Sequence, residues 1–466
     1  MTHSDSSATS GNDRTPLQWR FSIIAGIVAL ASIAYLLRDA IGPRGQSLVG
    51  VFCFFGLVAA FSANLRAVRW STIGWGIVLQ LVLAVLVLRV PFVKAGFEQA
   101  KEVVISFIGF SDKGAEFVFG NLARPGDIAL NPGKEFMFMF AFKVLPPILF
   151  VSAFFTVLYH YGILQRIVRL MARVMVHLMG TSGAETLSVS ANVFMGQTEA
   201  PLIVKPYVPR MTNSELFALM TSGFAHISGA MMVVYISYGA DPVAVLTTCI
   251  MACPGSLYLA KLFMPETSTP ETAGTLHSAK DKSPFVNGID AAASGTTDGL
   301  KLALNVAAML IVFIAFVAMF DALLGYVKPG LAHLHIQLGA WADELSLAKV
   351  FGWLFSPVAF LMGVESGDTS KVGTLLGAKL SINEHYAYLV MKGWKAQEHF
   401  MTDRSYKLAA FALTGFANFA SVGIQLGGIG AIAPERRHDL ARLGLRALFV
   451  GFVATLLNAA IAGIFL

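Results

Sequence analysis

The sequence predicts an all-α polytopic membrane protein: about nine transmembrane helices plus two re-entrant helical hairpins in inverted repeats, with interfacial amphipathic helices. Three observations carry this. Of 466 residues, 56% are hydrophobic and only 13% charged, about half the charged share of a soluble domain. The mean hydropathy is +0.66. The apolar residues gather into runs free or nearly free of charge, each close to the roughly 20 residues that cross a bilayer. Two further segments are half-apolar and interrupted by Gly, Pro and carboxylates. Such a composition excludes a fully soluble enzyme, a disordered chain and a disulfide scaffold. The net charge of +6 then concerns topology and lipid headgroups rather than nucleic acid.

In chain order, residues 1–20 are polar and form an N-terminal tail. Residues 21–37 are apolar without a small-residue cleavage site and read as a retained span. Spans follow at 46–63 and 71–88, then a charged amphipathic helix at 94–107 that lies on the outer surface, and a span at 136–158. Residues 163–179 place Ile163, Ile167, Leu170, Met171 and Val174 on one face of an amphipathic helix. The first interrupted segment is 183–207, and spans at 216–238 and 242–260 follow it. The polar stretch 265–298 reads as a linker. A span at 302–320 comes next, then an amphipathic stretch at 345–355, the second interrupted segment at 372–391, and spans at 408–427 and 447–466. This divides the chain into scaffold (21–162), first transport repeat (163–264), linker (265–298), scaffold span with outer loop (299–344) and second repeat (345–466). Cys53, Cys249 and Cys253 lie inside apolar runs; no further thiol or His completes a tetrahedral metal set around them.

Basic clusters set the topology. Arg66 and Arg69, Arg166 to Arg173, Lys205 and Arg210, Lys261 to Lys282, and Arg436 to Arg442 all fall on the cytoplasmic side if the N-terminus is inside and both interrupted segments turn back. The C-terminus then lies outside, and Arg38 and Arg44 fit less well because they land outside. The two interrupted segments enter from opposite faces. Inverted repeats with broken helices near mid-membrane point to a secondary-transporter site.

Within the first segment stand Gly196, Gln197, Thr198, Glu199, Ala200 and Pro201, and within the second Asn383 and Glu384. An ionisable residue inside a bilayer is costly and marks function by default. In 408–427, Asn418 and Ser421 are three apart and share a face. Carboxylates, amides and hydroxyls so gathered suit a neutral ligand with several hydroxyl and amino groups; sugars, nucleosides and cationic solutes all remain open. His226, in the middle of 216–238, is equally a packed core residue or a proton relay. Lys143 either snorkels or pairs with a carboxylate. There is no HExxH, GxSxG or phosphate-binding GK[ST] loop. An intramembrane enzyme would need a paired nucleophile and base, and a channel would pass current without saturation or coupling; the inverted hairpins argue against both.

The sequence closely resembles the concentrative nucleoside transporter family, as a bacterial member. The likeness rests on Phe140 to Pro146 (FAFKVLP), Gly180 to Glu185 (GTSGAE), Gly196 to Pro201, Ile289 to Ala293 (IDAAA), Asn383-Glu384, Gly415 to Asn418 (GFAN) and Leu426 to Arg437 (LGGIGAIAPERR), in that order. It covers roughly residues 46–466. The resemblance implies a homotrimer in the bacterial inner membrane that imports nucleosides such as uridine and adenosine. The coupling ion is Na+ or H+, there is no cofactor, and no nucleic acid is a partner. It implies that Gln197, Thr198 and Glu199 hold the base, with Met231 facing it, and that Glu384, Asn418 and Ser421 hold the ribose beside Phe416. It places a candidate sodium site at Asn192, Met195, His226 and Ile227. His226 stands where sodium-coupled members have a hydroxyl, and imidazole is a poor ligand for a hard cation, so His226 is also the candidate for proton coupling. His385-Tyr386 replaces the Phe-Val that usually follows Asn-Glu. The alternative is a cation-coupled symporter for another polyhydroxylated or amine solute.

Overall fold

A computed structural model describes residues 14–123, 140–143, 145–274, 284–326, 345–395 and 400–466. Those residues are helical almost throughout. The first half runs α1 (Leu17–Leu36), α2 (Arg38–Ala60), α3 (Trp70–Arg89), α4 (Pro91–Phe119), α5 (Phe140–Lys143) and α6 (Leu145–His160). It continues with α7 (Ile163–Met179), α8 (Gly183–Ala191), α9 (Asn213–Ala225), α10 (Gly229–Ser237) and α11 (Pro242–Phe263). The second half runs α12 (Gly288–Gly325), α13 (Leu347–Leu361), α14 (Thr369–Ser381), α15 (Glu384–Lys395), α16 (Asp403–Leu413), α17 (Phe419–Ile432) and α18 (Arg437–Phe465).

By length and composition, seven stretches of the described residues can cross a membrane: Leu17–Leu36, Arg38–Ala60, Trp70–Arg89, Asn213–Ser237, Pro242–Phe263, Gly288–Gly325 and Pro434–Phe465. An eighth arises if α6 and α7 are taken together, but they bend by 75° at the Tyr161-Gly162 junction. Gly162 has φ 74° there, a left-handed conformation that Gly adopts without a Cβ penalty. The bend agrees with α7 as a separate amphipathic helix, and its bounds coincide with the predicted 163–179.

The structure breaks two of the predicted spans in the middle, and both breaks matter. Residues 216–238 and 408–427 were expected to be continuous helices. Each is instead broken in the middle, the first at 226–228 and the second at 414–418. In both, a cap residue restarts the helix: Ser228 Oγ accepts from Met231 N at 3.3 Å, and Asn418 Oδ1 accepts from Ser421 N at 2.8 Å. Side-chain oxygens of Ser and Asn satisfy the free N–H groups of a new first turn. The polar residues that look like isolated guests in apolar spans are helix starts.

The interrupted segments are also resolved. In the first, α8 ends at Ala191, and 3-10 turns at Ala200–Val204 pack back against it. In the second, Ile382 and Asn383 separate α14 from α15. The stretch read as linker is partly structured. Thr272 accepts from Gly183 N through its carbonyl at 2.9 Å and from Ala184 N through Oγ1 at 3.0 Å, so it covers the start of α8. The helix α12 begins at Gly288, inside that same stretch. Residues 136–139 of one predicted span and most of 299–344 beyond α12 lie outside the described residues, and so does the side chain of Lys143.

α8, α9, α10, α11 and much of α18 are buried, whereas α1 and α12 present long apolar faces outward. Apolar faces are the expected surface of a helix in lipid. The core therefore consists of the half-helices and their immediate neighbours, with longer continuous helices outside.

Candidate substrate and cation sites

The two helix breaks meet. Phe416 N donates to the His226 carbonyl at 3.0 Å. A Cβ at Gly415 would lie 2.6 Å from Thr455 Cγ2 and 3.0 Å from the Phe224 carbonyl oxygen. Only glycine permits that approach, and its φ of 153° is one that side chains resist. The end of α9 thus presses on the start of the second break.

Around this crossing the sequence-predicted residues form a chain of hydrogen bonds. Glu384, the first residue of α15, accepts from Tyr235 Oη at 2.8 Å and from Asn418 Nδ2 at 2.8 Å, one bond per carboxylate oxygen. Asn418 caps α17 and thereby holds Ser421, whose Oγ accepts from Gln197 Nε2 at 3.2 Å. Gln197 Oε1 accepts from Gln425 Nε2 at 3.1 Å, and Gln425 also donates to the Met220 carbonyl at 3.1 Å. Gln197, Glu384, Asn418 and Ser421 are all buried. A buried polar group must be partnered, and here each holds the next in place. Residues from both interrupted segments and the second break are thereby joined to α9 and α10, the helices on either side of the first break.

The other predicted residues lie around this chain rather than in it. Thr198 packs on α17 at Gly428, where a Cβ would come within 2.4 Å of its methyl group. Glu199 is exposed at the tip, and its Oε2 accepts from Gly196 N at 2.9 Å; Asp298 on α12 acts on it electrostatically. Met231 is buried in the first turn of α10, and Phe416 is half-buried.

The candidate cation residues cluster at the end of α9. Asn192, which ends α8, donates through Nδ2 to Ser222 Oγ at 3.0 Å. Its Oδ1 is buried and has no hydrogen-bond partner among the described residues. His226 Nδ1 lies 2.9 Å from the Ser222 carbonyl and 3.3 Å from Ser222 Oγ. A carbonyl only accepts, so Nδ1 carries a proton. An orphaned acceptor beside the negative end of a helix is a setting that suits a cation. Ile227 is buried, and Met195 is half-buried.

Several residues of this region escaped the sequence reading. Tyr235 and Gln425 are polar groups inside predicted spans, and Ser222 lies one turn before His226. Their signal was the one that marked Asn418, a polar side chain in an apolar run, but periodicity alone does not say which of them face each other. His385 bonds Tyr238 Oη through Nε2 at 2.8 Å, so the unusual residue after Asn383-Glu384 ties the second segment to α10's end.

Comparison with known proteins places this arrangement. Residues 49–122 match the family description "Na+ dependent nucleoside transporter N-terminus", residues 141–242 "Nucleoside recognition", and residues 244–463 "Na+ dependent nucleoside transporter C-terminus". An uncharacterized transporter of Haemophilus influenzae is 37% identical over 426 residues, covering 90% of this chain and 97% of the relative. The human sodium/nucleoside cotransporter 1 is 37% identical over 432 residues, covering 90% of this chain but 63% of the relative; the chain spans less than two thirds of that longer protein. Among solved structures, CNTnw in an inward-facing substrate-bound state superposes with a TM-score of 0.83 at 36% identity, covering 90% of this chain and 97% of that one. CNTnw variants in outward-facing and intermediate states superpose with TM-scores of 0.82 and 0.81. The second and third family regions each contain one of the two breaks, and relatives match over nearly the whole chain, so this chain belongs to the Na+-dependent, concentrative nucleoside transporter family, a family of transporters and not of enzymes.

Proposed function

We propose that this chain is a cation-coupled nucleoside symporter that imports its substrate by alternating access, the two repeats moving together in an elevator-like manner. The observation that carries it is the hydrogen-bonded chain from Gln197 through Ser421 and Asn418 to Glu384 and Tyr235. A carboxylate flanked by an amide and a hydroxyl matches the vicinal diol of a ribose, because an ionised carboxylate accepts from both hydroxyls while the amide and serine serve their oxygens. In this reading Glu384, Asn418 and Ser421 take the ribose with Phe416 beside it. Gln197, Thr198 and Glu199 read the base edge, with Met231 against its face. Existing as outward-facing, intermediate and inward-facing forms, the solved relatives support the alternating-access part.

The coupling ion in this reading sits at Asn192 Oδ1 and the carbonyls near Met195, His226 and Ile227. Family membership makes sodium the first expectation. The imidazole at the end of α9 favours a second reading, in which His226 carries a proton. Nucleoside counterflow into proteoliposomes, with a panel of bases under separate sodium and pH gradients, tests both. Sodium-driven accumulation supports the first, pH-driven accumulation supports the second, and absence of saturable nucleoside exchange under either gradient refutes the proposal. The reading also takes the protein as a homotrimer in a bacterial inner membrane, N-terminus cytoplasmic and C-terminus outside, in keeping with the basic clusters.

A further inference from the structure

Lys379 is fully buried in α14, five residues before Glu384, and neither the substrate nor the cation reading uses it. Its Nζ donates to the Ala412 carbonyl at 2.7 Å and to Thr455 Oγ1 at 2.9 Å, and it lies 5.4 Å from the centre of the Phe452 ring. Among the described residues no carboxylate lies within ion-pair distance of it; Glu384 acts on it from further away. A buried ammonium is costly without strong compensation, so what it faces is informative.

It faces a helix end. Ala412 is in the last turn of α16, which stops at Leu413, where the second break begins. In the first repeat the corresponding end is that of α9, at the first break. The two ends are treated differently. At α9, the Ser222 carbonyl is capped by His226 Nδ1 at 2.9 Å, but Asn192 Oδ1 beside it has no hydrogen-bond partner among the described residues, and the candidate cation residues gather. At α16, the Ala410 carbonyl accepts from Tyr388 Oη at 3.0 Å and from Thr414 Oγ1 at 2.7 Å, and the Ala412 carbonyl accepts from Lys379. A helix C-terminus carries about half a negative charge in its free carbonyls and attracts a cation. Each repeat thus has one broken helix whose negative end is buried at the crossing.

We propose that the Lys379 ammonium is a tethered cation of the second repeat, standing at the end of α16 where the transported cation stands at the end of α9. The second repeat is then complete in charge without an ion, and only the first repeat couples transport to a gradient. This rests on the reading that the α9 end takes the coupling ion. It adds that the pseudo-symmetric site exists and is permanently filled by a side chain.

The test is nucleoside binding and thermal unfolding of the purified full-length protein, with sodium and methylammonium each titrated separately. Lys379→Met keeps the volume and removes the charge; uridine binding weakens by about tenfold or more, and neither cation restores it. Lys379→Ala removes the charge and leaves room for an ion; its binding and its unfolding temperature then rise with methylammonium or sodium beyond the dependence of the parent, and the Hill coefficient for cation increases by about one. Parent-like binding by Lys379→Met overturns the proposal, as does a folded Lys379→Ala whose cation dependence equals the parent's. Should Lys379→Ala aggregate, purification in methylammonium decides: recovery of a monodisperse protein supports the tethered cation, and continued aggregation overturns it. Because each arm is a difference between variant and parent, a parent that shows no cation dependence refutes the coupling-ion reading alone.

Discussion

Glu384 shows how one side chain gathers a site. It opens α15, and both of its oxygens are held, one by a phenol from α10 and one by an amide from the start of α17. Its position is therefore set before substrate arrives, which lowers the ordering cost of binding. Replacing it with Gln keeps the shape but substitutes a neutral amide, whose single oxygen accepts while its NH2 only donates. The expected loss is that of a charge-assisted hydrogen bond or two, about 1.5–3 kcal/mol each, hence at least about tenfold in affinity. Uridine uptake by Glu384→Gln in proteoliposomes, beside an unfolding curve to confirm the fold, checks it; parent-level uptake would sink the ribose assignment. His226 illustrates the opposite case. Its place in a span leaves packing and proton relay equally open, while its bond to the Ser222 carbonyl is what fixes a proton on Nδ1.

At the scale of elements, the half-helices are the central finding. An uninterrupted α9–α10 would satisfy its backbone internally and leave nothing for a ligand. Breaking it frees carbonyls at one end and N–H groups at the other, which is tolerated where the backbone lines a protein interior. The breaks are stabilised locally by the Ser228 and Asn418 caps and mutually by the Phe416–His226 bond. Gly415 is the hinge of that contact. Gly415→Ala puts a methyl within 3.1 Å of the Phe224 and Ala225 carbonyls and closer still to Thr455, at a φ alanine avoids. A destabilisation of about 3 kcal/mol is expected, read as a lower unfolding temperature together with weaker nucleoside binding. Unchanged unfolding and binding would mean that the two breaks are not so tightly apposed.

At the scale of the molecule, the two repeats are tied at both ends. Arg436 donates to the Pro209 carbonyl and to Asn213 Oδ1, each at 3.2 Å, and Lys395 donates to the Gly239 carbonyl at 2.8 Å. Arg44, which the topology rule leaves on the wrong side, donates to the Leu466 carbonyl at 3.1 Å, and Arg404 to the Gly463 carbonyl at 2.7 Å. Cations near the last carbonyls of α18 complement its dipole, so Arg44 has a structural partner in the fold. A set of buried and half-buried groups fastens the first repeat: Lys261 pairs with Glu185 at 2.6 Å and bonds Ser214, Ser182 bonds Glu215, and Thr212 bonds Glu266. They join the starts of α8 and α9 to the end of α11. Lys261→Met strands Glu185 without its cation, and a loss of about 3–5 kcal/mol is expected. Adding Glu185→Gln should recover part of it in thermal unfolding, and no recovery would show that the pair itself is not the source.

The amino-acid sequence by itself determined the solvent of this protein, the bounds of α7, the presence of two interrupted segments and the polar residues Gln197, Glu384, Asn418 and Ser421 that the structure brings together. These are local properties: hydropathy, charge placement and the cost of an ionisable group in lipid are legible one residue or one window at a time. The family motifs reinforced them. Tertiary structure alone decided that two apparent spans are broken, that Asn418 and Ser228 restart helices, and that Tyr235, Gln425 and Lys379 belong with them. A break at mid-span is stable only because the freed carbonyls of one repeat find partners elsewhere in the fold, and such long-range satisfaction leaves no periodic mark on the chain.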